Sequence, residues 1–181
     1  LQLNLIIEVF MAQELKQKLV DFIAAHHKSQ DEVPKVADDI SDILNFEITT
    51  ASHDVRVADF DTPLISALIR TNNFDLASLV CAQDDLDLTA TDSNGSTALD
   101  YALEKRNAEL SKMLAEKGCN ATHLTYRDAS ESGDDPASVW RQSGEINIKD
   151  IILGNQDITL LEDANSDAAD SLRDLIGLDG D

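Results

Sequence analysis

The fold of this chain is decided by residues 61–120, which contain one pattern twice: TPLISAL at 62–68 and TALDYAL at 97–103. The two rows begin at Thr62 and Thr97, 35 residues apart. Self-similarity at a period in the thirties is typical of a stacked solenoid, because each unit has an apolar face that it cannot bury alone. We therefore expect a repeat architecture.

Each row contains two short apolar stripes in which the residues recur at i, i+3 and i+4, so that each stripe marks one face of a helix. The stripes are Leu64, Ala67 and Leu68, then Leu76, Leu79 and Val80, and in the second row Leu99, Ala102 and Leu103, then Leu110, Met113 and Leu114. Asparagine-containing pairs at 72–73 and 106–107 favour turns between the helices. Each row thus predicts helix, tight turn, helix, with Thr62 and Thr97 as side-chain caps and Pro63 in a first helical turn.

The linker between the rows ends in a turn signal, since residues 92–95 read DSNG and Gly95 can adopt a positive φ angle. The rows and this turn together resemble the ankyrin repeat. The pattern of that family opens with Thr-Pro-Leu, places Ala three residues after the Leu, and joins units by an Asp-x-x-Gly-x-Thr turn. The matching residues are Asp87, Asp92, Gly95, Thr97, Leu99, Ala102, Asn107, Glu109, Leu110, Leu114 and Gly118.

The chain also departs from that pattern. The family's His after Thr-Pro-Leu is Ile65 in one row and Asp100 in the other, and the Gly between the two helices is missing. These departures predict less regular units and a fold that depends more on its flanks. The resemblance implies a mainly α fold, an ankyrin-type solenoid of helical hairpins.

Two segments precede the clear repeats, which we place at 59–121. Residues 1–10 are mostly apolar, but they are too short to span a bilayer and lack the basic start and cleavage site of a signal peptide. Because Met11 looks like a natural start, we expect 1–10 to be an upstream or artificially added segment. Residues 11–58 contain two further amphipathic stripes, which are Leu15, Leu19, Phe22 and Ile23, then Val36, Ala37, Ile40, Ile43 and Leu44.

The segment 11–58 is either a degenerate repeat or an N-terminal helical cap. We prefer the degenerate repeat, because about three stacked units are needed to bury a continuous core. Residues 55–59, at the boundary between this segment and the clear repeats, resemble a shortened form of the linker between the two clear rows.

Residues 122–181 do not match the repeat, and we interpret them as a C-terminal extension. Apolar runs at 151–153 and 158–161 flank Gly154, which predicts a β-hairpin. Ser166 is the predicted cap of a last helix that Gly177 ends. The apolar face of that helix comprises Ala169, Leu172, Leu175 and Ile176. The extension either caps the open end of the stack or forms a homodimer by pairing a strand edge with another chain.

Charge narrows the choice of partner. The chain has 35 acidic and 14 basic side chains, a formal net charge of −21. Nucleic acid and membranes are disfavoured as partners, because phosphate contact needs a basic face. A protein partner with a basic surface is favoured. The alternative is that the charge only maintains solubility.

Motifs for chemistry are missing from the sequence. The acidic linker around Asp84 and Asp87 lacks the order of an EF-hand, so turns stabilised by Asx hydrogen bonds are expected instead of a metal site. The histidine pair at 26–27 is expected to cap a helix end. Cys81 and Cys119 are expected to be reduced thiols of a cytoplasmic protein. No nucleophile motif accompanies His53 or His123, and no phosphate-binding loop is present. We expect no enzyme activity, no metal and no cofactor.

The resemblance implies that turn tips and the exposed side of each first helix line a concave surface for partners. The corresponding residues here are Ser93 and Asn94 at the tip, Ser66, Ile69 and Arg70 on one helix, and Tyr101, Glu104 and Lys105 on the next. Tyr101 is either an aromatic anchor for the partner or a packing residue against the neighbouring unit. Trp140 is expected to be buried under the C-terminal extension.

The predicted function is protein–protein recognition without catalysis. In one version the chain is an ankyrin repeat scaffold or adaptor, which includes the case of a bacterial effector that acts on a host protein. In the alternative it is an acidic inhibitor or immunity-type protein that covers a basic active site.

Overall fold

The computed structural model describes residues 2–49, 61–122 and 146–177, and helices dominate these parts of the chain. The predictions for the linker at 55–59, His53, His123 and Trp140 lie outside the described residues. The helices are α1 (Gln2–His26), α2 (Ile40–Leu44), α3 (Leu64–Arg70), α4 (Phe74–Cys81), α5 (Ala98–Glu104), α6 (Ala108–Glu116), α7 (Ile148–Ile152), α8 (Thr159–Ala164) and α9 (Ser166–Ile176). The mainly α fold class predicted from the sequence is confirmed.

The two rows form two helical hairpins, α3 with α4 and α5 with α6. Both turns are built alike. Asn72 and Arg106 adopt the left-handed conformation at φ angles of 64° and 55°, where the family pattern has Gly. The amide that follows each of them bonds back to the preceding helix, from Asn73 to the Leu68 carbonyl and from Asn107 to the Ala102 carbonyl.

Successive hairpins stack layer on layer, with α3 against α5 and α4 against α6. Leu64 and Leu99, which hold the same place in the two rows, are 1% and 0% exposed. The small residues Ala67 and Ala102 are also buried at equivalent positions in α3 and α5, two helices that pack against each other. The predicted repeat thus corresponds to a repeated interior.

The two rows begin differently. Thr97 is the N-cap of α5, and its side chain accepts the amide of Asp100 in a capping box, as predicted. The prediction that Thr62 caps α3 is wrong, because Thr62 lies in strand β2 (Asp61–Pro63). This strand pairs antiparallel with β1 (Glu47–Thr49), which places Thr62 opposite Ile48. The Leu64 amide donates to the Phe46 carbonyl at 3.0 Å, so strand pairing replaces the side-chain cap.

The stripe predicted at 15–23 is the buried face of α1. The helix predicted next is shorter than expected, since α2 begins only at Ile40 and residues 36–37 form a turn. Two aspartates explain the difference. Asp38 accepts the Lys35 amide at 2.8 Å and Asp39 accepts the Ser41 amide at 3.1 Å, so the first stabilises the turn and the second starts α2.

The β-hairpin predicted in the C-terminal extension is wrong, because 148–152 and 159–164 form the helices α7 and α8. The Asn147 side chain accepts the Asp150 amide at 3.2 Å and caps α7, whose isoleucines are buried at i, i+3 and i+4. Gly154 has a φ angle of 76° and follows the end of that helix, where left-handed residues are common. Within its described residues, the extension therefore has no strand through which two chains could pair.

The last helix lies where the sequence predicts it, with one shift at its start. Its N-cap is Asn165, which accepts the Ala168 amide at 3.1 Å, and not Ser166. Gly177 ends it at a φ angle of 68°, and three of the four predicted apolar residues are buried, with Leu175 partly buried. At the other end of the extension, α7 packs against α6. That contact supports the cap interpretation, which stays a prediction.

Leu99→Ala tests the assignment of the interior. Because Leu99 is fully buried between layers, its truncation should lower the free energy of unfolding by about 2–5 kcal/mol in urea denaturation. Leu79→Ala is the matched control, since Leu79 is 42% exposed and its truncation should cost less than about 1 kcal/mol. Equal effects of the two substitutions would show that the stripe is misassigned.

Candidate functional site

The turn before α5 is stabilised from inside by the carboxylate of Asp92. One oxygen, Oδ1, accepts the amides of Asn94 and Ser96 at 2.9 and 3.0 Å. Gly95 adopts a φ angle of 78°, and its amide donates to the Asp92 carbonyl. Asp92 is buried, whereas the side chains of Ser93 and Asn94 are exposed at the tip. The turn therefore presents these two residues from a fixed backbone.

Tyr101 connects this turn to α5. Its hydroxyl donates a short hydrogen bond to Asp92 Oδ2, and the residue is only 7% exposed. Burial raises the pKa of the Tyr101 phenol well above its ordinary value, and the hydrogen bond to the Asp92 carboxylate raises it further. The hydroxyl is therefore a permanent donor, and the buried carboxylate has all of its oxygens satisfied.

Arg70, from the preceding layer, covers the ring of Tyr101. Its guanidinium carbon lies 5.1 Å from the ring centroid, which is a cation–π distance. Its Nη1 lies 3.5 Å from Thr62 Oγ1, and within the described residues Arg70 forms no ion pair. The cluster of Asp92, Tyr101 and Arg70, here called the tip cluster, thus connects two layers and holds one cation at the surface.

The residues predicted to bind a partner fall into two groups. Ser93, Asn94, Glu104 and Lys105 are exposed, Arg70 is half-buried and Tyr101 is buried. These six lie on or next to the tip cluster or on the outer end of α5. For Tyr101, the structure favours the packing role, since its ring lies between Arg70 and the turn.

The other two, Ser66 and Ile69, are both 0% exposed, so the prediction that they face a partner is corrected. The reason is that α3 packs against α4, α5 and both strands, which leaves no open side at these positions. A sequence stripe cannot show this, because it gives the faces of one helix and not the number of neighbours. Burial leaves these two side chains unavailable to a partner in this conformation.

Asp100 is the residue whose role the sequence analysis missed. Its buried carboxylate accepts the Thr97 amide at 2.7 Å and, across the layer, the Thr122 amide at 3.0 Å and the Thr122 hydroxyl at 2.8 Å. The Thr97 hydroxyl donates to the Asn120 carbonyl at 2.6 Å. Where the family pattern has His, this chain therefore uses a carboxylate to join α5 to the residues after α6. The Thr-x-x-Asp spacing of a capping box was the available signal.

The acidic linker forms Asx turns, as predicted. Asp87 accepts the amide and the hydroxyl of Thr89 at 2.9 and 2.6 Å, and these hydrogen bonds hold the pKa of the Asp87 carboxyl below its usual value. The Asn45 side chain donates to the Asp85 carbonyl and accepts the Asp87 amide, each at 2.9 Å. In the described parts of the chain, no three His, Cys or carboxylate side chains are grouped so that they could hold a metal ion.

The two histidines at the end of α1 have different roles. His26 Nδ1 lies 2.9 Å from the Phe22 carbonyl, which is the predicted capping contact. His27 is buried, its Nδ1 accepts the Thr49 amide at 3.1 Å, and its Nε2 faces Glu32 Oε2 at 3.1 Å. Since Nδ1 accepts a hydrogen bond, the proton of the neutral ring is on Nε2. His27 thus connects α1 to strand β1.

Cys81 and Cys119 are both free and 0% exposed. Burial raises the pKa of both thiols, and that of Cys119 reaches about 11. A buried thiol with a raised pKa is a weak nucleophile, because the thiolate is the reactive form.

Stacked helical hairpins whose linker turns are tied to the next layer define a helical repeat solenoid. A family model described as ankyrin repeats, in three copies, matches residues 18–125, which is more than half of the chain. The chain belongs to the ankyrin repeat family. Ankyrin repeats are generally protein–protein interaction modules and are typically not catalytic.

The matched span includes most of α1, α2 and both clear rows. Searches of curated proteins and of solved structures found no match. Among the described helices, none has the length and apolar content needed to cross a membrane.

Tyr101→Phe tests the tip cluster. The substitution removes the donor to Asp92 Oδ2 and leaves a buried carboxylate oxygen unsatisfied, so the free energy of unfolding should fall by about 1–3 kcal/mol. Urea denaturation of Tyr101→Phe, Asp92→Asn and the double variant measures the coupling. Additive effects of the two substitutions would contradict a direct bond.

Thiol labelling tests the burial of the cysteines. A disulfide reagent at mildly alkaline pH should modify neither thiol in the native protein and both in denaturant. Rapid labelling of one thiol in the native state would place that cysteine at the surface.

Because the pKa of Cys119 rises from 9.0 to about 11 on folding, the protein should lose stability as the pH increases above 9.0.

Proposed function

We propose that this protein is a non-catalytic recognition module, a scaffold or adaptor, that binds a protein partner through the side formed by the tip cluster and the outer end of α5. The family supports the class of function, since ankyrin repeats are generally interaction modules. The binding residues of this proposal are Arg70, Ser93, Asn94, Glu104 and Lys105, with Tyr101 as their support. A bacterial effector that binds a host protein is one form of it.

The observation that carries the proposal is the fixed geometry around Tyr101. The ring is held by Asp92 on one side and covered by Arg70 on the other. A surface that is ordered before binding loses less conformational entropy on association. Arginine is also among the residues enriched at the energetic centres of interfaces. Arg70 is well placed for this role, because its guanidinium is stacked and forms no ion pair among the described residues.

Charge supports a partner with a basic surface. Besides the overall charge of −21, the linker that leads to the tip exposes Asp84, Asp85 and Asp87. The Asp84 side chain is 98% exposed, and its contact with Lys117 at 3.5 Å is a surface ion pair. Ion pairs at an exposed surface are weak, because water and salt screen the attraction between the two charges. The linker carboxylates therefore remain available to a basic partner beside the tip.

The alternative is an acidic inhibitor or immunity-type protein that covers a basic active site. The net charge of −21 is the observation that favours it. Opposite charges raise the association rate, and salt screens them. An inhibitor of this kind should associate with a rate that falls steeply with added salt. A scaffold that binds through Arg70 and the tip, with the linker carboxylates as an additional contact, should show a shallower dependence on salt than an inhibitor.

The test uses the chain as bait in extracts of its native cell, followed by mass spectrometry. A double variant, Glu104→Arg with Lys105→Glu, changes two exposed residues at the outer end of α5. Glu109→Arg is the matched control, because Glu109 is exposed on α6, the second helix of the same hairpin. The proposal expects the captured protein to be lost with the double variant and retained with the control. Retention of the same protein by both variants would contradict the proposed surface.

A further inference from the structure

Arg70 keeps its charge without a counter-ion in a chain that is rich in carboxylates. The chain has 35 acidic and 14 basic side chains. Arg173 uses this surplus, since its guanidinium contacts Glu162 at 2.7 Å and Asp170 at 3.2 Å. In the parts of the chain that the structure describes, Arg70 contacts no carboxylate. Its charge is therefore available to a group from outside.

The position of the guanidinium shows that Arg70 does not serve the end of its own helix. Arg70 is the last residue of α3, where a cation can interact with the free carbonyl groups of the final turn. Its Nη1, however, lies 3.5 Å from the hydroxyl of Thr62, a residue that precedes the helix. The side chain thus runs back along α3 and away from those carbonyl groups.

Asp92, the buried carboxylate of the tip cluster, does not neutralise Arg70 either. Its oxygens accept the amides of Asn94 and Ser96 and the hydroxyl of Tyr101. It forms no ion pair with Arg70. The hydrogen bonds of this carboxylate are therefore satisfied without the guanidinium.

The guanidinium of Arg70 has the geometry to receive a carboxylate. Its carbon lies 5.1 Å from the centroid of the Tyr101 ring, so the ring occupies one side of the group. A guanidinium has five N–H donors in one plane. Among the described residues, the long contact with Thr62 is the one hydrogen bond that Arg70 makes. The remaining donors can form the two parallel hydrogen bonds that a carboxylate accepts.

Partial burial favours this interaction. Arg70 is half-buried, and Tyr101 beside it is only 7% exposed. A guanidinium in this setting has already lost part of its hydration, so pairing costs it less further desolvation than it would cost a fully exposed cation. The ring also holds the guanidinium in place before binding, which lowers the conformational entropy that is lost on association.

We infer that Arg70 binds one carboxylate of the protein partner, the side chain of an aspartate or a glutamate. The inference rests on the proposed function and adds the chemistry of the partner at the tip cluster. The partner is then basic where it faces the linker aspartates and carries an acidic residue where it faces Arg70. Because a chain of charge −21 repels other acidic surfaces, a carboxylate placed at Arg70 contributes to specificity.

Charge favours a carboxylate over a phosphate at this position. A phosphorylated side chain carries close to two negative charges at neutral pH. Recognition of such groups uses clusters of arginines, whereas the tip cluster contains one. The linker beside it exposes Asp84, Asp85 and Asp87. Their repulsion acts about twice as strongly on a dianion as on a carboxylate, since Coulomb energy is proportional to charge.

NMR of the arginine side chains of the 181-residue chain tests the inference. The probe is N-acetylglutamate methylamide, and N-acetylglutamine methylamide at equal ionic strength is the control. The Nε–H resonance of Arg70, assigned by its absence in Arg70→Lys, should shift saturably with the glutamate probe alone. We expect a dissociation constant on the order of 10 mM, because one ion pair supplies only a small part of the affinity of an interface.

Two other arginines are internal controls. Arg173 already contacts two carboxylates, so its resonance should shift less than that of Arg70. Arg106 is exposed, and its resonance should shift in proportion to probe concentration without saturation. A shift of Arg70 that is no larger than that of Arg106, or that is equal with both probes, would overturn the inference. Tighter binding of methyl phosphate than of the glutamate probe would also overturn it.

Arg70→Lys tests the same contact with the captured partner. The substitution keeps the positive charge and removes the planar pair of donors, so it should weaken binding at least tenfold. Arg106→Lys is the matched control, because it makes the same change at an exposed arginine, and it should weaken binding less than twofold. An unchanged thermal midpoint of Arg70→Lys shows that the loss does not come from unfolding. Equal affinities of the two variants would contradict the inference.

The two experiments separate this inference from the proposed function. Saturable binding of the glutamate probe at Arg70, with the captured protein retained by the Glu104→Arg, Lys105→Glu variant, would contradict the proposed surface alone. Loss of the captured protein from that variant, without binding of the glutamate probe at Arg70, would contradict this inference alone.

Discussion

Burial of each hairpin against the next is the constraint on which the rest of this structure depends. One helical pair has a single apolar face, and only a neighbouring layer can remove that face from water. Leu64 and Leu99 occupy the same place in successive layers, and both are buried. The strands before α3 and the helix after α6 continue this arrangement at the two ends. Stability is therefore a property of the layers together.

Buried carboxylates organise the polar contacts between these layers. Asp92 accepts two amides and the Tyr101 hydroxyl, and Asp100 accepts groups from Thr97 and Thr122. A buried charge is costly unless its hydrogen bonds are satisfied, and both of these are well supplied with donors. The acidic character of the chain thus has a structural part in its interior as well as an exposed part on its linker.

Periodicity predicted the repeat, the hairpins and the buried leucines. The reason is that helical spacing and burial between layers both require apolar residues at i, i+3 and i+4 in each unit. Errors arose where tertiary contacts override local signals. Thr62 belongs to a strand because β1 lies beside it. The helix at 148–152 is a different case, because the local cap Asn147 starts it and the sequence analysis did not use that signal. Ser66 and Ile69 were expected at the surface, and their burial depends on how many elements surround α3. Their exposure could not be derived from one helix alone.

The unbroken course of α1 has a mechanical consequence. Its inner turns are packed through Leu15, Leu19, Phe22 and Ile23, and no kink or loop separates them from the outer turns. A helix without a kink keeps one direction along its length apart from a gentle curvature. A contact made by the outer turns would therefore also fix the orientation of the whole solenoid.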